Sequence, residues 1–395
     1  MKKTAKKGCE AAVSLLRGIK NFLRRADLLL LLLCTAASLL GVVAIRSATN
    51  YLGGLHYVKV QLLAIGLGIV CYLVLTGLDL EILTGRAELL FIFNVLFIST
   101  LFLWGVQGQT GNRSWLAFSW MPFNLQPAEL CKITFILITA RMMRLFQRHI
   151  SSLRSVLLLG AHLLLTVGLI IFASDDTGVA LIYVFIFLLM AYTAGINRFW
   201  FLGGIAAVGA ASPLLWKKFL REDQRLRVLA LFDPSLDPDK TGVLWQTNLS
   251  LSAIRGGGIT GQGFLQGRLT QAGANPQQHN DFIFATIGEE FGVVGCIVVL
   301  LLLLAIVIRC IRVGVRSGNY MNRLICTGIA AMMVFQIAVN VGTCLGLFPV
   351  VGLTLPFFSY GGSSIVASFC AAGLVSSVHS RPSPDGAAVY IRPNY

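Results

Sequence analysis

The sequence predicts an all-α polytopic membrane protein with ten transmembrane helices and a long extracytoplasmic loop between the seventh and eighth. Of its 395 residues, 56% are hydrophobic and only 12% are charged, whereas soluble domains carry about 25% charged residues. The hydrophobic residues suffice for about ten spans of roughly 20 residues each. This composition excludes both a soluble enzyme and a disordered chain.

Stretches without Asp, Glu, Lys or Arg define most of these spans, because each is long enough to cross a bilayer. One further span is expected at 127–143, although it contains Glu129 and Lys132, since without it the later loops fall on the wrong sides. In order, the charge-free stretches are 28–45, 60–78, 89–112, 155–174, 177–197, 199–216 and 291–308. The long run 324–380, which Pro349 and Pro356 interrupt, is expected to hold two more spans.

The basic residues predict the orientation. With the N-terminus inside, 20 of the 32 Lys and Arg lie on the cytoplasmic side, eight lie in the long loop and four lie elsewhere, as the positive-inside rule requires. We therefore expect one membrane domain over 1–395, with a basic cytoplasmic N-terminus at 1–26, a large extracytoplasmic loop at 217–280 and a cytoplasmic tail at 380–395. The net charge of +15 is mainly an orientation signal that suits anionic membrane lipid, and it does not indicate nucleic-acid binding.

Charged side chains within or beside the spans are the first candidates for a functional site, because burying them is costly. Glu129 and Lys132 are three residues apart, so they share one helix face and can neutralise each other. Such a pair either orders packing alone or serves a function, since buried ion pairs are seldom a net source of stability. Asp175 and Asp176 occupy the tight turn between the fifth and sixth spans.

Asp281 ends the long loop and begins an apolar helical run. It is either a helix N-cap, a role that Asp fills well, or a general base at the outer membrane surface, where shielding from water raises the pKa of a carboxyl group. His279 and Asn280 precede it, and a histidine in that position is more often a loop residue than a catalyst. Glu289 and Glu290 lie two turns deeper and either need a cation or a proton, or serve the structure alone.

The long loop combines two patterns. Residues 217–232 mix basic and apolar side chains, as in a helix that lies on a membrane surface. The glycine-rich stretch 256–267 permits close backbone approach, and its N–H groups suit a diphosphate. The same composition is also typical of a flexible loop.

Four motifs resemble the signatures of the shape, elongation, division and sporulation (SEDS) family, which includes RodA and FtsW. The similarity runs in order from about Asp27 to about His379. The motifs are QPAELCK at 126–132, DTG at 176–178, HNDFIFATIGEEFG at 279–292 and LTLPFFSYGGSS at 353–364.

The resemblance implies a bacterial peptidoglycan glycosyltransferase that polymerises lipid II at the outer face of the cytoplasmic membrane and works with a class B penicillin-binding protein. It implies that Asp281 is the catalytic general base of an inverting transfer in which undecaprenyl diphosphate leaves. No cofactor is required by the sequence, and a divalent cation is one candidate for stabilising the leaving group. The substrate-binding positions are expected to be Arg113, Glu129, Lys132, Asp176, Gln246, His279, Asn280 and Ser359.

The chain departs from the family pattern at three places. It has SDDTGV at 174–179 where the family usually has QPDLGT. Asn124 stands where some members have a basic residue, and Asn280 stands where a threonine is frequent.

Two other functions fit the same residues. In a flippase for lipid-linked sugars, Glu129, Lys132 and Glu290 would form a polar track through the bilayer. In a scaffold without catalytic activity, the chain would only hold a penicillin-binding protein. The position of Asp281 at the outer rim and the lack of an internal repeat favour the enzyme.

Overall fold

The computed structural model describes residues 25–107, 112–218, 222–237, 242 and 244–381, and helices account for most of them. The helices are α1 Leu28–Ala48, α2 Leu55–Gly77, α3 Leu80–Gly85, α4 Ala87–Trp104, α5 Pro127–Leu145, α6 Leu153–Ser174, α7 Thr177–Ala194, α8 Arg198–Lys218, α9 Glu222–Phe232, α10 Trp245–Gly257, α11 Arg268–Gln271, α12 Ile283–Arg316, α13 Tyr320–Cys344 and α14 Gly362–Ser380. Two short antiparallel strands, β1 Gly105–Val106 and β2 Trp115–Leu116, follow α4.

Eight helices of the described ranges are long and apolar enough to cross a membrane, namely α1, α2, α4, α6, α7, α12, α13 and α14. The prediction of a helical, multi-pass membrane protein is thereby confirmed. The two other expected spans are also helical: α5 has 19 residues and includes Glu129 and Lys132, and α8 has 21 residues with Pro213 inside it. Ten spans, and their orientation, stay a prediction.

The span expected at 89–112 is shorter than predicted. α4 ends at Trp104, and the chain continues as β1, which pairs with β2. An isolated bridge then joins Leu116 to Leu125. The absence of charge does not distinguish helical from extended backbone, so the apolar run continues past the end of the helix.

The most buried of the candidate spans is α14. It packs along α2 and also contacts α5, α12 and α13. Small residues permit this close approach, as they do between other membrane helices. A Cβ added to Gly373 would lie 2.9 Å from the backbone of Tyr72, and one added to Gly68 would lie 2.7 Å from the Phe369 ring.

A partly buried ion pair and its neighbouring hydrogen bonds join four helices at the N-terminal end of α1. Arg309 of α12 lies 2.8 Å from the carboxylate of Asp27, which also caps α1. The N–H of Asp27 donates to the Ser376 hydroxyl of α14, and the Tyr72 hydroxyl of α2 donates to the Asp27 carbonyl. These contacts fix the relative positions of α1, α2, α12 and α14.

α12 is kinked at Gly292, where φ is +64° and ψ is −164°. The kink separates a short outer part at 283–291 from the long apolar part at 293–316. Backbone groups of the long loop bond to the helix on both sides of the kink. The N–H groups of residues 262 and 263 donate to the carbonyls of 289 and 290, and those of 293 and 294 donate to the carbonyls of 258 and 259.

Several glycines of the 256–267 stretch are packed against α12. A Cβ on Gly257 would lie 2.0 Å from the carbonyl oxygen of Gly288, and one on Gly261 would lie 2.1 Å from that of Glu290. These glycines therefore serve helix packing, and the interpretation of the whole stretch as a flexible loop or an open diphosphate cradle is wrong for them.

Candidate active site

Asp281 lies just before α12, which begins at Ile283 with Phe282 as its N-cap. The N-cap interpretation of Asp281 is therefore wrong. Its backbone carbonyl accepts a hydrogen bond of 2.9 Å from Nδ2 of Asn340 on α13, and the same nitrogen donates to the carbonyl of Leu353 at 2.7 Å. One buried amide thus holds Asp281 against both α13 and the segment that leads to α14.

The carboxyl group of Asp281 is shielded from water. The residue is only 9% exposed, and a Cβ added to Gly352 would lie 3.8 Å from its Oδ2. Burial raises the pKa of Asp281 to about 7, the negative charge of Asp176 raises it as well, and the positive charge of Arg227 lowers it. A carboxyl group with a pKa near neutrality is suited to act as a general base.

Asp176 is a second buried carboxyl group of this site. Its Oδ1 caps α7 by accepting from the N–H of Val179 at 3.0 Å. Its Oδ2 accepts from the Ser114 hydroxyl at 3.3 Å and from Nε2 of Gln126 at 3.4 Å. Burial raises the pKa of Asp176 to about 6, although the bonds from Val179 and Ser114 lower it. These bonds join the turn between α6 and α7 to the start of α5.

Glu129 and Lys132 form the expected ion pair at the start of α5, with Nζ of Lys132 2.7 Å from Oε1 of Glu129. Both residues are buried. Their charges act on Asp176 in opposite senses, since Glu129 raises its pKa and Lys132 lowers it. Gln126, the N-cap of α5, bonds to Asp176, and Gly178 and Asp281 both lie against the segment 351–352. The ion pair, Asp176 and Asp281 are therefore grouped as one polar cluster.

Residues 350–352 form a backbone wall beside this cluster. The Val350 carbonyl accepts a bond of 2.9 Å from Nη1 of Arg227. A Cβ on Gly178, in the first turn of α7, would lie 2.4 Å from the Val351 carbonyl oxygen. Arg227 belongs to α9, so this helix of the long loop contacts the backbone wall that borders the cluster.

His279 packs against Tyr57 of α2 and Tyr360, with ring centroids 5.4 Å and 5.7 Å away. Burial lowers the pKa of His279 to about 4, so the ring is neutral at physiological pH. The next carbonyl, that of Asn280, accepts from the Ser359 hydroxyl at 2.6 Å. His279, Asn280 and Ser359 thus lie together beside Asp281, and their role in substrate binding stays a prediction.

Two of the predicted substrate-binding side chains do not join the cluster. Arg113 is exposed, although its neighbour Ser114 bonds to Asp176. Gln246 lies in the first turn of α10, where its carbonyl accepts from Asn275 at 3.4 Å. Within the described part of the chain, neither side chain has a hydrogen bond to the cluster.

Glu289 and Glu290 hold the long loop. Glu289 accepts from the N–H of Leu269 and from the N–H and hydroxyl of Thr270, at 2.7 to 2.9 Å. Glu290 accepts from the Ser47 hydroxyl at 2.5 Å and from Nε2 of Gln271 at 3.0 Å. Neutral donors bind both oxygens of Glu289 and Oε1 of Glu290, whereas the buried Oε2 of Glu290 has no hydrogen-bond partner among the described residues. The donors to Glu289 favour the structural interpretation for that residue.

Three residues of the site were not singled out from the sequence, namely Asn340, Gln61 and Arg227. Gln61 of α2 donates to the Ser359 carbonyl at 3.1 Å and accepts from the Gly361 N–H at 3.3 Å. An amide inside an apolar span is a usable sequence signal for Asn340 and Gln61, because a buried polar group needs a partner. Nothing in the sequence distinguishes Arg227 from the other basic residues of the loop.

Within the described ranges, no cluster of three or more His, Cys, Asp and Glu side chains could hold a metal ion. The carboxyl groups of Asp176 and Asp281, with the Glu129 and Lys132 pair and Arg227, are the charged groups of the site. The arrangement is suited to proton transfer and to binding an anionic substrate.

Comparison with known proteins identifies the family. The model of the FtsW, RodA and SpoVE family, described as "Cell cycle protein", matches residues 25–383. The chain belongs to this family. The SEDS resemblance carried by the four motifs is therefore confirmed.

Curated members of the FtsW, RodA and SpoVE family are similar over most of the chain. The probable peptidoglycan glycosyltransferase FtsW of Geobacter metallireducens is 31% identical over 367 residues, which cover 91% of this chain and 96% of the relative. The peptidoglycan glycosyltransferase MrdB of Escherichia coli K12 is 30% identical over 360 residues, or 90% and 93% of the two chains. These names confirm the predicted enzyme class at the level of the family.

Solved structures of the same family share the fold. A chain from the structure called "Structural coordination of polymerization and crosslinking by a peptidoglycan synthase complex" has a TM-score of 0.77 and 31% identity, covering 91% of this chain and 99% of that one. The rod shape determining protein RodA of Thermus thermophilus has a TM-score of 0.65 and 28% identity, with coverage of 91% and 98%.

Proposed function

We propose that this protein polymerises lipid II into glycan strands at the outer face of the bacterial cytoplasmic membrane. The observation that carries the proposal is the environment of Asp281, a buried carboxyl group with a pKa of about 7 beside a second buried carboxyl group and Arg227. The names of the similar enzymes support the substrate class.

In the proposed reaction, Asp281 removes the proton from the 4-hydroxyl of the acceptor sugar. That oxygen attacks the anomeric carbon of the lipid-linked donor and forms the new glycosidic bond. The bond from this carbon to the diphosphate oxygen breaks, and undecaprenyl diphosphate leaves with the electron pair. Attack opposite to the leaving group inverts the anomeric centre.

The other residues of the cluster position these groups. Asp176 keeps the pKa of Asp281 raised, while Lys132, which is paired with Glu129, lowers the pKa of Asp176. Nδ1 of the buried His279 has no partner among the described residues, so it is available to a sugar hydroxyl. Asn280 and Ser359 hold the backbone beside Asp281. Arg113 and Gln246 are expected to contact outer parts of the substrate.

The membrane arrangement follows from the same proposal. Ten spans, with α5 and α8 as the fourth and seventh, and both termini inside place 217–280 and Asp281 on the outer side. The lipid II headgroup is available there, and the polyprenyl tail would lie between apolar helices.

Two rival functions are tested by the same assay. A lipid flippase needs two sides of a membrane, so polymer formation in detergent supports the enzyme alone. A scaffold without catalytic activity forms no polymer.

The deciding experiment incubates the purified protein with lipid II in detergent and measures chain formation. We expect Asp281→Asn to lower the rate about 10²- to 10⁴-fold, which is the usual contribution of a general base. Asp233→Asn, at an exposed carboxylate of the same loop, is the control and should polymerise normally. Normal chain formation by Asp281→Asn and Asp281→Ala would refute the catalytic assignment.

We also propose that the protein works with a class B penicillin-binding protein. The similar structure from a peptidoglycan synthase complex supports a partner that crosslinks. Purification of the wild-type protein from its native membrane, followed by identification of bound chains, should recover such a transpeptidase. Recovery of the protein without one would oppose this part of the proposal.

A further inference from the structure

The proposed leaving group carries a diphosphate, whose growing negative charge needs cations or N–H groups. Of the basic residues near the cluster, Lys132 is already paired with Glu129 at 2.7 Å. Arg113 has an exposed side chain. The packed glycines of the long loop turn their backbone toward α12. These candidates leave the binding of the diphosphate largely unexplained.

Arg227 of α9 is a better placed cation. It is partly buried, and its Nη1 donates to the Val350 carbonyl at 2.9 Å. Two residues further along the wall, Gly352 lies beside the carboxylate of Asp281. The guanidinium is therefore held at the edge of the site, next to the proposed base.

The orientation of α9 supports this placement. Gln224, three residues before Arg227 and hence on the same helix face, donates to the Thr177 hydroxyl at 3.4 Å. Thr177 directly follows Asp176 at the start of α7. The face of α9 that carries Gln224 and Arg227 thus lies across both carboxyl groups of the cluster.

A guanidinium has five N–H donors. In the described part of the chain, the Val350 carbonyl engages one donor of Arg227, and no carboxylate forms a salt bridge with it. The remaining donors suit phosphate oxygens, which arginine binds in a bidentate manner. An arginine bound to a backbone carbonyl keeps its full positive charge for such a ligand.

We propose that Arg227 binds the diphosphate of the lipid-linked donor and stabilises it as it leaves. This inference rests on the proposed glycosyl transfer and extends it to a residue of the long loop. Arg227 binds the phosphate oxygens of the donor substrate, whereas Asp281 takes the proton from the hydroxyl of the acceptor sugar. The two residues therefore act on different substrates of the same reaction.

The test uses the full chain in detergent and farnesyl diphosphate as the probe, with farnesyl monophosphate for comparison. We expect Arg227→Gln to weaken diphosphate binding about tenfold to a hundredfold, which is the range for losing charge-assisted hydrogen bonds. Glutamine can still donate to the Val350 carbonyl, so the fold is retained, and an unchanged melting temperature checks this. Arg227→Lys keeps the positive charge but lacks the forked donor geometry of a guanidinium. Its affinity for the diphosphate should therefore lie between those of the wild type and Arg227→Gln.

Arg225→Gln is the matched control. Arg225 lies on the same helix, but its Nη2 donates to the Lys217 carbonyl at 2.6 Å. Its replacement should leave diphosphate binding unchanged.

A second readout tests whether the charge of Arg227 lies close enough to act on the proposed base. Because the positive charge of Arg227 lowers the pKa of Asp281, the pH at which polymerisation is half-maximal should rise in Arg227→Gln. An unchanged pH midpoint in Arg227→Gln would show that the guanidinium is too far from Asp281 to act on the reacting groups and would oppose the proposed placement.

The outcomes distinguish this inference from the proposed function. Wild-type protein that does not bind the diphosphate, or Arg227→Gln that binds it normally, overturns the role of Arg227 even when lipid II is polymerised. Wild-type protein that binds the diphosphate through Arg227 but makes no polymer supports the site and refutes the transferase.

Discussion

Asp281 has two charged neighbours that act on its pKa in opposite directions. Asp176 raises it and Arg227 lowers it, while burial makes the largest contribution, and the result is about 7. A pKa in this range leaves a substantial ionised fraction at neutral pH while keeping the carboxylate basic enough to take a proton. The two neighbours come from different parts of the chain, so the turn before α7 and the long loop both adjust the proposed base.

This arrangement predicts the pH dependence of the reaction. Asp281 must be ionised to accept a proton, so the rate should rise with pH and reach half its maximum near pH 7. In Asp176→Asn a negative charge is removed, which lowers the pKa of Asp281 and moves the half-maximal rate to lower pH. Initial rates of lipid II polymerisation between about pH 5 and pH 9 measure this midpoint.

Asp175→Asn is the control for that shift. Asp175 is adjacent but exposed, and its φ of +56° is one that asparagine adopts as readily as aspartate. Its midpoint should match the wild type. An unshifted midpoint in Asp176→Asn would show that the two buried carboxyl groups are not coupled.

The kinked helix α12 and the long loop form one unit at the level of secondary structure. Backbone groups freed around Gly292 are bonded to residues 258–263, while Glu289 binds the start of α11. The loop therefore completes the helix, and the helix fixes the loop. Since Asp281 immediately precedes this helix, the position of the proposed base depends on the kink.

Gly292→Ala tests this dependence. The added Cβ would lie 2.3 Å from the Ile259 carbonyl oxygen, and φ of +64° is strained for alanine. Strain and overpacking each cost about 1–3 kcal/mol. We therefore expect the melting temperature in detergent to fall by several degrees and activity to fall with it.

Gly66→Ala, in α2, is the matched control because an added Cβ there meets nothing within 4 Å. Its melting temperature should stay near that of the wild type. Equal effects of the two substitutions would mean that the kink contributes nothing special to stability.

For the whole molecule, the sequence locates the helices better than the contacts between them. Apolarity is a local property, so the charge-free runs predicted helices such as α6 and α7 closely. The prediction failed after Trp104, where the helix ends and β1 begins without a charged residue to mark the change. The motifs indicated Asp281, Asp176, Glu129 and Lys132. Arg227 and Val350 are 123 residues apart, and no local pattern reports that they meet.

The orientation of the molecule in the membrane is a separate prediction. The distribution of Lys and Arg places both termini inside and residues 217–280 outside. Alkaline phosphatase, which is active only outside the cytoplasm, should be active when inserted after Ser235. A green fluorescent protein fused after Tyr395 should fluoresce, since it matures only inside. Either reporter with the opposite behaviour would reverse the topology.

The backbone wall at 350–352 also bears on inhibitor resistance. Amino-acid substitutions change side chains, but they leave main-chain carbonyl and N–H groups in place. Gly178, packed against this wall, has no room for a Cβ, and Gly352 has a φ of +73°, so both positions tolerate few replacements. A compound that binds the main chain of this wall would therefore leave few single substitutions by which the protein could become resistant to it.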